Sequence, residues 1–139
     1  MFTKVMTAAA VAAATIAMAM PASALAPLRP RRAILESLQT AKRAGTAKLG
    51  YDGTKWYGTV HVRAGALAPG TYAYGVEMLE VGVGSGDALC TFTIAKAGDA
   101  GGCSGTTPYL TPGVWLAKNY ADVFAATGGS PILEGLLVR

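Results

Sequence analysis

The chain of 139 residues contains few of the side chains that most metal and redox sites use. It has two cysteines and a single histidine. The cysteines, Cys90 and Cys103, do not form a C-x-x-C redox pair, and a structural zinc site needs four ligands, usually clustered cysteines and histidines. The sequence therefore predicts no metal site and no cofactor.

Known catalytic patterns are missing as well. The only histidine, His61, would need a nucleophile or an orienting carboxylate beside it to act as a base, and its neighbours on the same face of a predicted strand are Thr59 and Arg63. The stretch 102–106 breaks the G-x-S-x-G pattern at its last position. The glycine-rich stretch 82–88 lacks the lysine of a P-loop. We therefore expect a protein that is not an enzyme.

The one long apolar run lies at the N-terminus. Lys4 precedes an apolar stretch at 5–20, and small residues follow at 21–26. This order is typical of a secretory signal peptide, and the run is shorter than the ~20 residues that a membrane helix needs. We expect cleavage after Ala24, which removes residues 1–24 and leaves a secreted, extracellular protein without a membrane span.

Basic charge is concentrated just after the predicted cleavage site. Residues 25–45 hold five basic residues and one acid, and the remainder of the mature chain is close to neutral. Nucleic-acid binding needs basic side chains spread over a folded surface, so we do not expect it. Residues 25–44 form a basic arm, a short pro-segment or a solvated tail. If the arm contacts anionic cell-wall polymers, its candidate binding residues are Arg29, Arg31 and Arg32.

The same arm has helical spacing of apolar residues over 33–44. The apolar positions are Ile34, Leu35, Leu38 and Ala41. Basic residues lie at the C-terminal end of this stretch and Gly45 follows it, as is common at helix ends. The pattern predicts a short N-terminal helix before the main domain.

From residue 45 onward the pattern is typical of β structure. Asp52-Gly53 predicts a tight turn between two strands. In the second of these strands, Trp56, Val60 and Val62 alternate with a polar set, which predicts a half-buried strand. That polar set supplies the candidate binding residues Tyr57, His61 and Arg63. About seven short strands separated by turn residues predict an immunoglobulin-like antiparallel β-sandwich over 45–139.

The stretch 111–128 is compatible with two structures. Read as a helix, it has a cap, an early proline and a terminal glycine. Read as strands, it follows "LTPGVW" (110–115), which parallels "LAPGTY" (67–72) at an offset of 43 residues. We favour strands. The parallel indicates either a doubled β-β unit or a coincidence of common turn residues.

The two cysteines are expected to form a disulfide. A secreted protein folds in an oxidising space, where an even number of cysteines normally means pairing. Predicted strands flank the turn at 95–102, so Cys90 and Cys103 can face each other across a hairpin. Cys90 shares its face with Phe92 and Ile94, which predicts a bridge on the core side. Such a bridge stabilises a domain by roughly 3 kcal/mol in the chain-entropy model.

Two stretches resemble a known family. "GTAKLGYDGTKWYGTVHVRAGAL" (45–67) resembles the opening of chordin-type (CHRD) domains, and "GGSPILEGLLVR" (128–139) resembles their closing strand. The resemblance implies an extracellular β-sandwich with a binding role. The central histidine pair of that family has no counterpart here, so no functional residue is carried over.

These observations favour a small secreted binding or structural module without enzymatic activity. Its expected partner is an extracellular protein or a cell-wall glycan. A second hypothesis is a secreted inhibitor or toxin-like effector that acts through the loop 82–87. A third is a hydrolase that uses His61.

Overall fold

A computed structural model describes residues 28–78, 88–107 and 119–139. No described residue is helical, and this part of the chain contains no helix able to cross a membrane. The predicted signal peptide at 1–24 lies outside the described residues. The described strands are β1 (Leu28–Ser37), β2 (Arg43–Tyr51), β3 (Trp56–Val62), β4 (Gly70–Met78), β5 (Cys90–Ile94), β6 (Gly101–Thr107), β7 (Asn119–Ala125) and β8 (Leu133–Leu136).

The eight strands form one sheet in the order β5-β4-β7-β8-β1-β2-β3-β6. Every neighbouring pair is antiparallel. The two edge strands, β5 and β6, contact each other, so the sheet is rolled and nearly barrel-shaped. The prediction of an antiparallel all-β fold is confirmed. The structure has a single rolled sheet of eight described strands, whereas the sequence predicted a sandwich of about seven strands.

The predicted helix over 33–44 is wrong, because β1 extends to Ser37 and β2 begins at Arg43. Burial in β1 follows the two-residue period of a strand: Ala33 and Leu35 are buried, whereas Ile34 between them is 52% exposed. Strand β1 pairs with β2 on one side and β8 on the other. These pairings outweigh the local helix preference, which is worth only tenths of a kcal/mol per residue for ordinary residues, or about 1 kcal/mol at most for glycine.

The turn between β2 and β3 forms as predicted. Gly53 has a φ of 106°, which glycine adopts without the steric cost that a side chain brings. The Asp52 carboxylate Oδ1 accepts hydrogen bonds from the backbone N–H groups of Lys55 at 2.7 Å and Thr54 at 2.8 Å. These bonds favour the ionised carboxylate, and they lower the pKa of Asp52.

The described part of the stretch 111–128 is a strand followed by a turn, and none of it is helical. Strand β7 covers Asn119–Ala125, as favoured, and residues 111–118 lie outside the described residues. The second half of the parallel at 110–115 also lies outside them. In the first half, Gly70 begins β4.

The interior of the rolled sheet is filled by large side chains. Trp56 and Leu35 are almost completely buried there, and so is Tyr74. The Tyr74 hydroxyl reaches from β4 to β2 and donates a hydrogen bond of 3.0 Å to the Lys48 carbonyl oxygen. Strands β4 and β2 are far apart in the sheet order, so this bond crosses the core. Because these side chains occupy the interior, the candidate binding surface lies on the outer face, the side of the sheet opposite the core.

Candidate binding surface

The predicted disulfide between Cys90 and Cys103 is confirmed, with 6.0 Å between the two Cα atoms. Both cysteines are partly buried and pack against the core, on the side that the sequence predicted. Their strands are the two edges of the sheet, because β6 pairs with β3 and β5 pairs with β4. The disulfide therefore joins the edges of the rolled sheet at a seam, the line where β5 meets β6.

Strand register places several polar residues side by side on the outer face. Thr46 lies between Ile34 and His61 in one row across β1, β2 and β3. In the next row, Lys48 lies beside Arg32 on one side. On its other side the row continues through Thr59 to Ser104 of β6.

A groove of about 1110 Å³ lies on this face. It extends over parts of β1, β2, β3, β7 and β8. Its polar lining includes Arg32, Glu36, Lys48, Thr59, His61, Tyr120 and Glu134. Its apolar lining includes four large side chains that we call the apolar stripe: Ile34, Leu38, Leu136 and Val138.

The apolar stripe is exposed over much of its surface. The exposed fraction is 52% for Ile34 and Val138, 56% for Leu38 and 38% for Leu136. Single exposed apolar residues are common, but a contiguous exposed group usually marks an interaction surface. The stripe is therefore a candidate interaction surface.

A second group on the outer face, which we call the polar face, consists of Lys48, Tyr57, Thr59, His61 and Ser104. Tyr57 is half-buried and lies opposite Gly50 in the register. A Cβ atom at Gly50 would collide with the Tyr57 ring, so the ring leans across the sheet and covers this glycine. The hydroxyls of Thr59 and Ser104 are hydrogen-bonded at 2.9 Å. The polar face thus combines an aromatic ring, hydroxyls and basic groups.

The structure places the binding residues that the sequence predicted in different surroundings. Tyr57, His61 and Arg32 lie on the outer face, with His61 and Arg32 in the groove. Arg63 is exposed one residue beyond β3, and its backbone N–H donates to the Ala44 carbonyl oxygen at 2.8 Å. Arg29 is exposed on β1.

Arg31 does not share the exposure of its neighbours. It is only 7% exposed and has the same parity along β1 as the core residues Ala33 and Leu35. Burial, together with the nearby Arg139, lowers the pKa of the guanidinium. Arg31 therefore does not offer the accessible cation that an anionic polymer would need.

Reasoning from sequence missed the apolar stripe. The helical spacing predicts that Ile34 and Leu38 lie in a helix, and the stretch "ILEGLLV" (132–138) suggests only a closing strand. In both stretches apolar residues occupy positions of both parities, which is typical of a strand covered on both sides. This pattern could have indicated the apolar stripe from the sequence alone.

The described residues contain no group of three or more His, Cys, Asp or Glu side chains that could hold a metal ion. The loop 82–87, which the inhibitor hypothesis invoked, lies outside the described residues. No known family model matches the chain, and no curated protein matches it. A functional proposal must therefore rest on the residues of this surface.

Proposed function

We propose that this protein is a secreted, non-enzymatic binding module that holds a cell-envelope glycan on its polar face. The observation that carries the proposal is the Tyr57 ring lying over Gly50, beside the hydrogen-bonded pair Thr59 and Ser104. The sheet supports this ring from below, so ordering it on binding costs little conformational entropy.

The composition of the polar face suits a sugar. An aromatic ring offers a flat apolar surface with a hydroxyl at its end, which matches the mixed apolar and polar faces of a pyranose. The threonine and serine hydroxyls each supply one donor and two acceptor lone pairs. Lys48 and His61 lie next to them and would favour a glycan that carries anionic groups.

The disulfide supports the proposed compartment. Disulfides persist in oxidising spaces such as the extracellular medium and are rare in reducing ones. The Cys90–Cys103 bridge is therefore consistent with the secretion that the N-terminal sequence predicts. Cleavage after Ala24 stays a prediction, and so does the chordin-type resemblance, which implies the same location and a binding role.

The basic arm contributes to this function only through its exposed residues. Strand β1 and the start of β2 lie within 25–44, so deleting this range would remove part of the sheet. Substitution of Arg29 or Arg32 by alanine is the suitable test of a contact with anionic polymers. The inhibitor and hydrolase hypotheses stay predictions, since the first invokes the loop 82–87 and the second invokes His61, which lies in register between Thr46 and Gly102.

The glycan proposal is tested by replacing Tyr57. We expect Tyr57→Ala to weaken binding of the mature protein to purified cell-envelope polysaccharide by about tenfold, because stacking on an aromatic ring is worth roughly 0.5–1.5 kcal/mol beyond its buried area. Tyr57→Phe keeps the ring and should retain most of the affinity. Isothermal titration calorimetry or co-sedimentation measures the change.

The matched control is Thr127→Ala, an exposed threonine just after β7, which lies four strands from β3 in either direction around the rolled sheet. It should bind as the unsubstituted protein does. Equal binding by Tyr57→Ala and Thr127→Ala would contradict the proposal, and so would the absence of any polysaccharide binding by the unsubstituted protein.

A further inference from the structure

The apolar stripe lies next to the polar face but is not used by the proposed function. Its centre is on β1 and β8, the middle strands of the sheet order. Glu36 pairs with Glu134 in the register, and Arg32 pairs with Val138 through an isolated bridge. Ile34 and Leu136 lie between these two pairs and are therefore neighbours.

Charges of opposite sign flank the apolar stripe along the strands. The outward residues of β1 are Arg32, Ile34 and Glu36, so a cation, an apolar side chain and an anion follow one another. On β8, Glu134 lies at the acidic end. On β2, Lys48 pairs with Arg32 at the basic end. Ile34 and Leu136, the centre of the stripe, thus lie between an acidic end and a basic end.

This arrangement is complementary to itself. A two-fold axis that passes through Ile34 and runs across the strands, in the plane of contact, reverses the strand direction of the second copy. Glu36 of each copy then faces the partner's Arg32, and Ile34 and Leu136 of one copy face the same two residues of the other. An isologous interface requires this kind of self-complementary patch.

The other in-plane orientation is unfavourable. A two-fold axis parallel to the strands, between β1 and β8, would place Glu36 over the partner's Glu134. Like charges facing each other across an interface cost free energy and suppress that mode of association. The first orientation avoids this repulsion and still brings Ile34 and Leu136 of the two copies together.

We infer that the protein forms a homodimer in which the apolar stripes of two copies pack against each other, with Glu36 of each copy paired to the partner's Arg32. Apart from Lys48 on β2, the polar face of each copy lies to one side of this contact, on β3 and β6. The inference does not rest on the proposed glycan function.

Charge reversal tests this arrangement. Sedimentation velocity of the mature, disulfide-bonded protein over a wide concentration range should show a reversible dimer. Arg32→Glu alone places two acids opposite each other, and Glu36→Arg alone places two bases opposite each other. Each single change should raise the dimer dissociation constant by at least about tenfold.

The double variant Arg32→Glu with Glu36→Arg restores the opposite charges and should restore the dimer. This rescue separates an interfacial pair from a loss of folding, which circular dichroism and thermal melting check in each variant. Arg29→Glu is the matched control, since Arg29 is exposed on β1 outside the groove.

Three results would overturn the inference. They are a monomeric unsubstituted protein at all concentrations, a dimer unaffected by either single reversal, and failure of the folded double variant to dimerise. The glycan assay with Tyr57→Ala is read separately, because that variant should still dimerise. The two assays can therefore show that the protein is monomeric while glycan binding is retained, or that it dimerises without binding the glycan.

Discussion

Tyr74 links two distant strands through a single hydroxyl at the centre of the core. Its bond to the Lys48 carbonyl oxygen joins β4 to β2, and burial, assisted by the nearby Asp122, raises the pKa of the phenol. A tyrosine whose pKa is raised by folding contributes stability that is fully present below its unfolded pKa of about 10. That contribution is lost as the pH rises through the folded value.

We expect Tyr74→Phe to lower the free energy of unfolding by about 1 kcal/mol at neutral pH, because a buried carbonyl loses its donor. Above about pH 10 the difference between the two proteins should shrink, since only the unsubstituted protein must keep this phenol protonated. Urea denaturation at a series of pH values measures both effects. A difference that stays constant into the alkaline range would contradict this account.

Asp52 controls the turn between β2 and β3 through its carboxylate. Its pKa is lowered by the backbone hydrogen bonds from Lys55 and Thr54, so its contribution to stability is present above the unfolded pKa and is lost as the pH falls through the folded value. We expect Asp52→Ala to lower the melting temperature above the unfolded pKa of about 4, and we expect the difference from the unsubstituted protein to shrink as the pH falls below that value.

The control for the turn is Asp52→Asn, which keeps an acceptor oxygen but removes the charge. It should lie between the other two proteins at neutral pH. Its melting temperature should show no acid-dependent loss from this position. If the alanine variant were equally destabilised at acidic and neutral pH, the charge of Asp52 would not be the cause.

At the scale of elements, the seam between β5 and β6 depends on its disulfide and on close packing. A Cβ atom at Gly105 would collide with the Leu89 carbonyl oxygen, so glycine lets β6 approach the start of β5. A Cβ atom at Gly101 would likewise collide with the side chains of Ile94 and Phe92. The covalent bond therefore holds two edges that already fit together.

We expect replacement of both Cys90 and Cys103 by alanine to lower the free energy of unfolding by about 3 kcal/mol, since the unfolded chain regains the freedom of a closed loop. Guanidinium denaturation of the variant and of the oxidised parent protein gives the difference. Reduction of the parent protein with dithiothreitol should reproduce the effect of the double substitution. Equal stability of the reduced and oxidised proteins would show that the seam does not need the bond.

Strand β1 shows why local pattern misled at the element scale. Its apolar residues satisfy a helical spacing and a strand alternation at once, and nothing within 33–44 decides between them. The decision comes from pairing with β2, outside this stretch for most of its length, and with β8, at the other end of the described chain. Information of that range is not contained in the local sequence.

At the scale of the whole molecule, sequence reasoning succeeded where the cause was local. The turn at Asp52-Gly53, the outward set of Tyr57 and His61 on β3, and the disulfide with its core-side position all depend on neighbours in sequence or on compartment. The rolled sheet and its order depend on pairs distant in sequence. The groove does too, because its walls come from five strands.

The adjacency of β1 and β8 also constrains the order of folding. A chain delivered from its amino end, by a ribosome or through a membrane pore, presents β1 long before β8, one of the two strands that lie beside it. Non-local pairings of this kind are slow to form, and a central strand without one neighbour exposes an unpaired edge while it waits. Such a chain cannot complete this sheet until β8, which lies between β7 and β1, arrives.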